Sequence, residues 1–95
     1  KNSLRIDPIP KGKPLAGAIE CSHPIYGQEA LMSVKATRGK IIPISENELR
    51  KNKLALAREE GLYAEYSGAA AYAALRSQKW KGNTIVLLCG HGLKE

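Results

Sequence analysis

TIVLLCGHG, residues 84–92, is the stretch of sequence that decides the fold. Residues 84–89 carry no charge and are rich in β-branched and leucine side chains, and the run stops at Gly90-His91-Gly92. A continuous apolar run of this kind is typical of a strand buried on both faces, which normally means a parallel sheet covered by helices. Ligands of open α/β sheets bind just beyond the carboxyl ends of the strands. The run therefore predicts an α/β fold and directs the search for function to Cys89, Gly90 and His91.

Two shorter apolar segments upstream are candidates for further strands. Residues 15–20 end at a turn-rich cluster and predict a strand or a tight crossing segment. Residues 40–44 contain three isoleucines interrupted by Pro43, which favours a strand at the edge of a sheet.

Helical patterns separate these segments. Residues 27–38 place apolar side chains at helical spacing before Gly39, a natural stop for a helix. Ser45 followed three residues later by Glu48 is a capping box, and it predicts a helix that runs to Glu60 and ends at Gly61. We therefore predict a fragment of an open parallel sheet with flanking helices. Residues 1–14 are expected to be an irregular connection and residues 15–95 a single α/β domain.

Ser67 is predicted to open a third helix, in which residues 68–75 are nearly all small. Such a helix can lie unusually close to a sheet or a ligand. The backbone donors and the hydroxyl at its start favour an anion or a polar ligand edge. The same residues also fit a plain N-cap on a tightly packed helix, and the local sequence leaves both interpretations open.

Composition and charge exclude several functional classes. The chain has 95 residues, 43% of them hydrophobic, which fits one globular domain rather than a collagen-like or disordered chain. Its net charge of +6 comes from scattered Lys and Arg without interleaved aromatics, so neither nucleic acid nor a membrane is an expected partner. Two distant cysteines without a signal-peptide pattern indicate reduced thiols and a cytoplasmic protein. The chain begins with Lys rather than Met, which is compatible with a processed product or with an excised piece of a longer protein.

The Cys89-Gly90-His91-Gly92 turn has several local interpretations. It fits a ligand-facing turn, and it also fits a buried cysteine before a plain turn. A nucleophilic Cys89 activated by His91 is disfavoured because neighbouring side chains at a strand end diverge. A metal site built from Cys21, His23, Cys89 and His91 has suitable residue types, but its spacing matches no known zinc finger, so we expect no metal.

Two longer stretches resemble one enzyme family. Residues 54–70 are similar to the AREEG…EP(S/A)(S/G)AA pattern near the end of fold-type II pyridoxal-phosphate enzymes, the tryptophan synthase β superfamily. Residues 87–94, LLCGHGLK, resemble the LTGHGLKD ending most familiar in threonine synthases. Residues 16–20 and 28–31 fit the crossing that precedes this region. The resemblance spans residues 15–95, and the closing octapeptide is its most specific part.

The resemblance implies pyridoxal 5′-phosphate as cofactor, with Cys89, Gly90, Ser67 and Ala18 as the binding residues. The side chain before the glycine shares a hydrogen bond with the pyridine nitrogen, and a thiol there leaves that nitrogen largely unprotonated. Threonine synthases usually carry Thr at the position of Cys89, although Cys is familiar there in some dehydratases. Tyr66 is a second departure, because Pro or Ala is usual at its position.

Neither the Schiff-base lysine motif of the family nor its Gly-rich phosphate loop is present in this sequence. Lys13 and Lys35 do not have the neighbours of the Schiff-base lysine. We therefore expect no catalytic residue on this chain and no activity from it alone. Its parent is expected to be a cytoplasmic, homo-oligomeric lyase of the threonine synthase type that converts O-phospho-L-homoserine and water to L-threonine and phosphate. Its expected partners are an amino-acid substrate and the rest of the parent enzyme. The alternatives are a serine or threonine dehydratase, another β-replacing enzyme, or a non-catalytic module that pairs through an unpaired sheet edge.

Overall fold

Three α-helices form most of the regular structure in the computed structural model, which describes residues 5–10 and 12–94. Short 3-10 helices at Gly17–Ile19 and Gly92–Lys94 accompany them. The α-helices are α1 (Gly27–Ala36), α2 (Glu46–Glu60) and α3 (Tyr66–Ser77). Helices α2 and α3 pack on each other, and the first 3-10 helix lies against α3. Within the described residues, no helix has both the length and the apolar character needed to cross a membrane.

Local signals at both ends fix the boundaries of α2. The backbone of Ser45 is extended, and its hydroxyl oxygen accepts the Glu48 N–H at 3.1 Å. At the other end Gly61 has φ of 68°, a left-handed conformation that glycine adopts without steric penalty, and its N–H donates to the Ala57 carbonyl at 3.1 Å. Both boundaries predicted for this helix are confirmed.

The end of α1 differs from the prediction. The helix stops at Ala36, and Arg38 rather than Gly39 takes the left-handed conformation, with φ of 55°. The Gly39 N–H then donates to the Val34 carbonyl at 2.8 Å. The left-handed residue after α1 is therefore Arg38, one position before the predicted Gly39.

Small side chains on α3 form its contact with α2. Ala69 and Ala73 are fully buried, and Leu56 of α2 is the largest side chain that solvent does not reach. Ala69 also belongs to a buried cluster with Leu49 and Ala16. Because alanine adds little bulk beyond the helix backbone, α2 and α3 can approach closely, as the composition of residues 68–75 predicts.

The predicted open parallel sheet is not formed within the described residues. Part of the first candidate strand is instead the 3-10 helix Gly17–Ile19, and residues 40–44 and 84–89 are outside any strand. The one pairing found in this part of the chain is an isolated antiparallel bridge between Ala64 and His91. A strand needs neighbours that satisfy its backbone N–H and C=O groups, and the three candidate segments do not supply them to one another.

Residues 84–89 nevertheless retain a strand-like alternation of exposure. Ile85 and Leu87 are 95% and 75% exposed, whereas Val86 and Leu88 are half-buried. Alternation with a period of two is the pattern of an extended segment with one covered face. The prediction of a strand buried on both faces is therefore not met, since one face of this segment is open.

Candidate functional site

The candidate site is built where the residues before α3 meet the residues after the apolar run. Around the bridge between Ala64 and His91, the Glu65 N–H donates to the Gly90 carbonyl at 3.0 Å. The Gly92 N–H donates to the Tyr63 carbonyl at 2.7 Å. These two hydrogen bonds fix the Gly90-His91-Gly92 turn beside the start of α3.

An open cavity of about 410 Å³, which we call the cleft, lies at this junction and is lined by residues 61–64 and 88–91. Its volume falls within the usual range for small-molecule sites, about 300–1,000 Å³. Cys89 and Gly90, two of the four residues that the resemblance assigned to the cofactor, lie on its wall together with His91. The structure thus brings together the residues at the end of the apolar run.

Ser67 is placed differently from a helix cap. Glu65 is the N-cap of α3, so that Ser67 is the second residue of the helix, and its buried hydroxyl oxygen has no hydrogen-bond partner. The interpretation of Ser67 as a plain N-cap is therefore wrong. The next residue, Gly68, is so close to the backbone of Leu88 and Cys89 that an added Cβ would touch it at 3.5 Å. The Ser67 hydroxyl is a buried polar group that lacks a partner, and Ser67 is not among the residues that line the cleft.

Ala18 lies apart from the cleft. It belongs to the exposed 3-10 helix Gly17–Ile19, and it is not among the residues that line the cleft. This 3-10 helix contacts α3, the helix that carries Ser67.

Glu65 is a residue of the site that the sequence interpretation did not single out. Its side chain is buried, with 8% of its surface exposed, and its carboxylate lies against Gly90. The sequence contains a signal that could have identified Glu65, because it is the one charged residue in residues 62–75, which are otherwise mostly apolar or small. A charge in such a stretch seldom becomes buried without a structural or functional role.

His91 is held by its surroundings rather than by Cys89. Its ring meets the Tyr63 ring edge-on, with centroids 5.7 Å apart, and its Nδ1 accepts the Leu93 N–H at 3.0 Å. The Nδ1 atom is therefore engaged by the backbone and is not free to act as a base. Cys21 and Cys89 are both free thiols on the surface. The described part of the chain contains no group of three or more His, Cys, Asp or Glu side chains that could hold a metal ion.

Comparisons with known proteins give one consistent result. Residues 2–90 match the family described as pyridoxal-phosphate dependent enzymes. Threonine synthase from Synechocystis sp. is 34% identical, over 93% of this chain and 24% of the relative. Threonine synthase from Halalkalibacterium halodurans is 32% identical, over 97% of this chain and 28% of the relative. Threonine synthase from Methanocaldococcus jannaschii is 26% identical, over the whole chain and 25% of the relative.

These matches cover nearly all of this chain but only a small part of each relative. The chain spans about a quarter of the length of the curated relatives that it matches. No solved structure matches the chain.

Proposed function

The chain belongs to the family of pyridoxal-phosphate dependent enzymes, and from this premise we propose that it is the C-terminal part of a threonine synthase. The parent enzyme converts O-phospho-L-homoserine and water to L-threonine and phosphate. The observation that carries the proposal is the similarity of nearly the whole chain to threonine synthases from three organisms. The Gly90-His91-Gly92-Leu93-Lys94 ending agrees with it.

The cleft residues fit the cofactor. Pyridoxal phosphate supplies an electron sink for bonds around the substrate α-carbon when it is bound. Cys89 would hold the pyridine nitrogen through its thiol, a weak hydrogen-bond donor and acceptor that does not favour the protonated nitrogen as a carboxylate would. Gly90 would keep the wall beside the ring free of a side chain. Ser67 is outside the cleft lining, and its buried hydroxyl without a partner, a cost of about 1–3 kcal/mol, is the support for a polar contact to the ligand in the parent enzyme.

The rest of the parent enzyme supplies what this chain lacks. The Schiff-base lysine and the phosphate loop would come from that part, so the chain alone is inactive. The rest of the parent enzyme would cover the exposed side chains of Ile85 and Leu87. It would also pair with the backbone edge of residues 84–89 and so complete the open parallel sheet. Both cysteines are free thiols, which is the state expected of a cytoplasmic enzyme.

A dehydratase is the second candidate, and one residue favours it. Cys89 stands where threonine synthases usually carry Thr, and the resemblance associates Cys at that position with some serine and threonine dehydratases. The two reactions differ in their products, since the synthase releases phosphate from O-phosphohomoserine and a dehydratase releases ammonia from serine or threonine.

The deciding experiment measures both products with the full-length protein loaded with pyridoxal phosphate. We expect phosphate release from O-phosphohomoserine, and we expect the Cys89→Thr variant to retain it, because a hydroxyl can replace the thiol at a pyridine nitrogen. Ammonia from serine without phosphate release would reassign the protein to the dehydratases. Neither product, together with no cofactor binding, would favour a non-catalytic interaction module.

A further inference from the structure

Lys53 of α2 is surrounded by the residues that precede α3. Its ammonium nitrogen lies 4.7 Å from the centre of the Tyr63 ring and 4.6 Å from the centre of the Tyr66 ring. The same nitrogen donates a hydrogen bond to the Ala64 carbonyl at 2.9 Å. The side chain is half-buried, and partial removal of water strengthens the attraction between a cation and an aromatic face. One cation therefore links α2 to three of the four residues 63–66.

These residues also carry the pairing that shapes the cleft. The Tyr63 carbonyl accepts the Gly92 N–H, and the Glu65 N–H donates to the Gly90 carbonyl. The segment that Lys53 holds is thus the hydrogen-bonding partner of the segment that carries Cys89 and Gly90. A shift of residues 63–65 would move that wall of the cleft with it.

Tyr66 is the contact of Lys53 that lies at the start of α3. It is the first residue of α3, a position where proline is favoured because its φ is already helical and no N–H is needed there. Tyrosine lacks the fixed φ of proline, so a side-chain contact at this position can restrict the entry into the helix. The Tyr66 ring makes such a contact with Lys53.

We propose that Lys53 is a positioning residue: its contacts with Tyr63, Ala64 and Tyr66 fix the place of the Cys89–Gly90 wall of the cleft. Lys53 does not line the cleft, and it acts through residues 63–65. The identity of the ligand whose site is positioned rests on the proposed function, whereas the restraint on the wall does not.

The test is hydrogen exchange in the full-length protein, followed by mass spectrometry of peptides that cover residues 62–66 and 88–92 and, for comparison, helices α2 and α3. Lys53→Met keeps the apolar stem and removes the charge, and we expect exchange at the Glu65 and Gly92 amides to accelerate about tenfold. Lys53→Arg keeps a cation that stacks on aromatic rings and donates hydrogen bonds, so it should restore exchange to within about twofold of the unmodified protein.

Two further variants complete the test. Lys51→Met removes the same charge from an exposed position on the same helix and should leave exchange unchanged. Tyr66→Leu keeps Lys53 but removes one of the two rings, and exchange at the same two amides should also accelerate in this variant. It replaces Lys53→Met in the test if Lys53→Met does not fold. Unchanged exchange at both amides in these variants would overturn the proposal. Equal acceleration across α2 and α3 would also overturn it, because it would make Lys53 a general stabiliser.

Titration with pyridoxal phosphate, followed by fluorescence, supplies a second readout. We expect the affinity of Lys53→Met for pyridoxal phosphate to fall about fivefold and that of Lys53→Arg to recover. Accelerated exchange with unchanged affinity would contradict a role of Lys53 in positioning the site. If the unmodified protein binds no pyridoxal phosphate, the proposed function fails, and the exchange data still decide whether Lys53 holds the wall.

Discussion

The carboxylate of Glu65 lies against the α-carbon of Gly90, in the space where any side chain at residue 90 would begin. The two residues are also joined by the hydrogen bond from the Glu65 N–H to the Gly90 carbonyl, at 3.0 Å. The family resemblance makes Gly90 a cofactor-binding residue. The structure gives a second reason for a glycine here, because the Glu65 side chain occupies the position of a Cβ at residue 90.

Replacement of Gly90 should therefore destabilise the protein even without a ligand. Gly90→Ala forces the buried Glu65 side chain to move, and we expect a loss of about 1–3 kcal/mol in the free energy of unfolding. Urea unfolding of the full-length apoprotein measures this loss. Gly17→Ala is the matched control, since an added Cβ there meets nothing within 4 Å.

The pairing of the two residues can be tested directly with a double variant. In a Glu65→Ala background, Gly90→Ala should be less destabilising by about 1 kcal/mol, because the overlapping carboxylate is gone. Strict additivity of the two substitutions would show that the strain at residue 90 has another source.

The cap of α2 gives a prediction that is independent of the cleft. Ser45→Ala removes the acceptor of the Glu48 N–H and should lower stability by about 1 kcal/mol. Ser45→Asp should retain most of that stability, since a carboxylate oxygen also caps a helix. Thermal unfolding of both variants provides the comparison, and Ser33→Ala, on an exposed position of α1, is the control. A loss in Ser45→Ala no larger than in the control would argue against the cap.

Ser67 separates a packing role from a ligand role. Because its hydroxyl is buried without a partner, Ser67→Ala should leave the stability of the apoprotein unchanged or raise it by up to about 1 kcal/mol. The same variant should weaken the binding of pyridoxal phosphate about five- to tenfold through loss of one hydrogen bond. Lower stability combined with unchanged cofactor affinity would assign the hydroxyl to packing.

Helix α2 was predictable because both of its boundaries depend on nearby residues. Ser45 caps the helix through a residue three positions away, and Gly61 ends it through its own φ. The end of α1 was less predictable, since Arg38 adopts a conformation that favours glycine and nothing in its neighbours signals this.

The sheet could not be inferred in the same way. Whether residues 84–89 form a strand depends on what lies beside them rather than on their own composition, and the described residues leave Ile85 95% exposed. The apolar run predicted a strand buried on both faces, whereas residues 84–89 lie outside any strand and alternate between exposed and half-buried side chains. In the proposed parent enzyme, a larger sheet would cover the apolar residues of this segment.

Some residues of the site could be predicted from the local sequence, and others could not. Cys89 and Gly90 were found because they end an apolar run, and both line the cleft. Glu65 and Lys53 were missed because their importance comes from contacts with residues 25 and 11 positions away, Gly90 and Ala64. Such contacts appear only when the chain is folded.

The most direct test of the account measures how fast each of the two cysteines is alkylated by iodoacetamide in the full-length protein, with and without pyridoxal phosphate. Both thiols are free and exposed in this chain, so Cys21 serves as the internal control for Cys89. If Cys89 faces the cofactor ring, bound pyridoxal phosphate should slow its alkylation at least about tenfold, as expected for a side chain buried by a ligand, and leave Cys21 unchanged. Equal rates at Cys89 with and without the cofactor would contradict the assignment of the cleft as the pyridoxal-phosphate site.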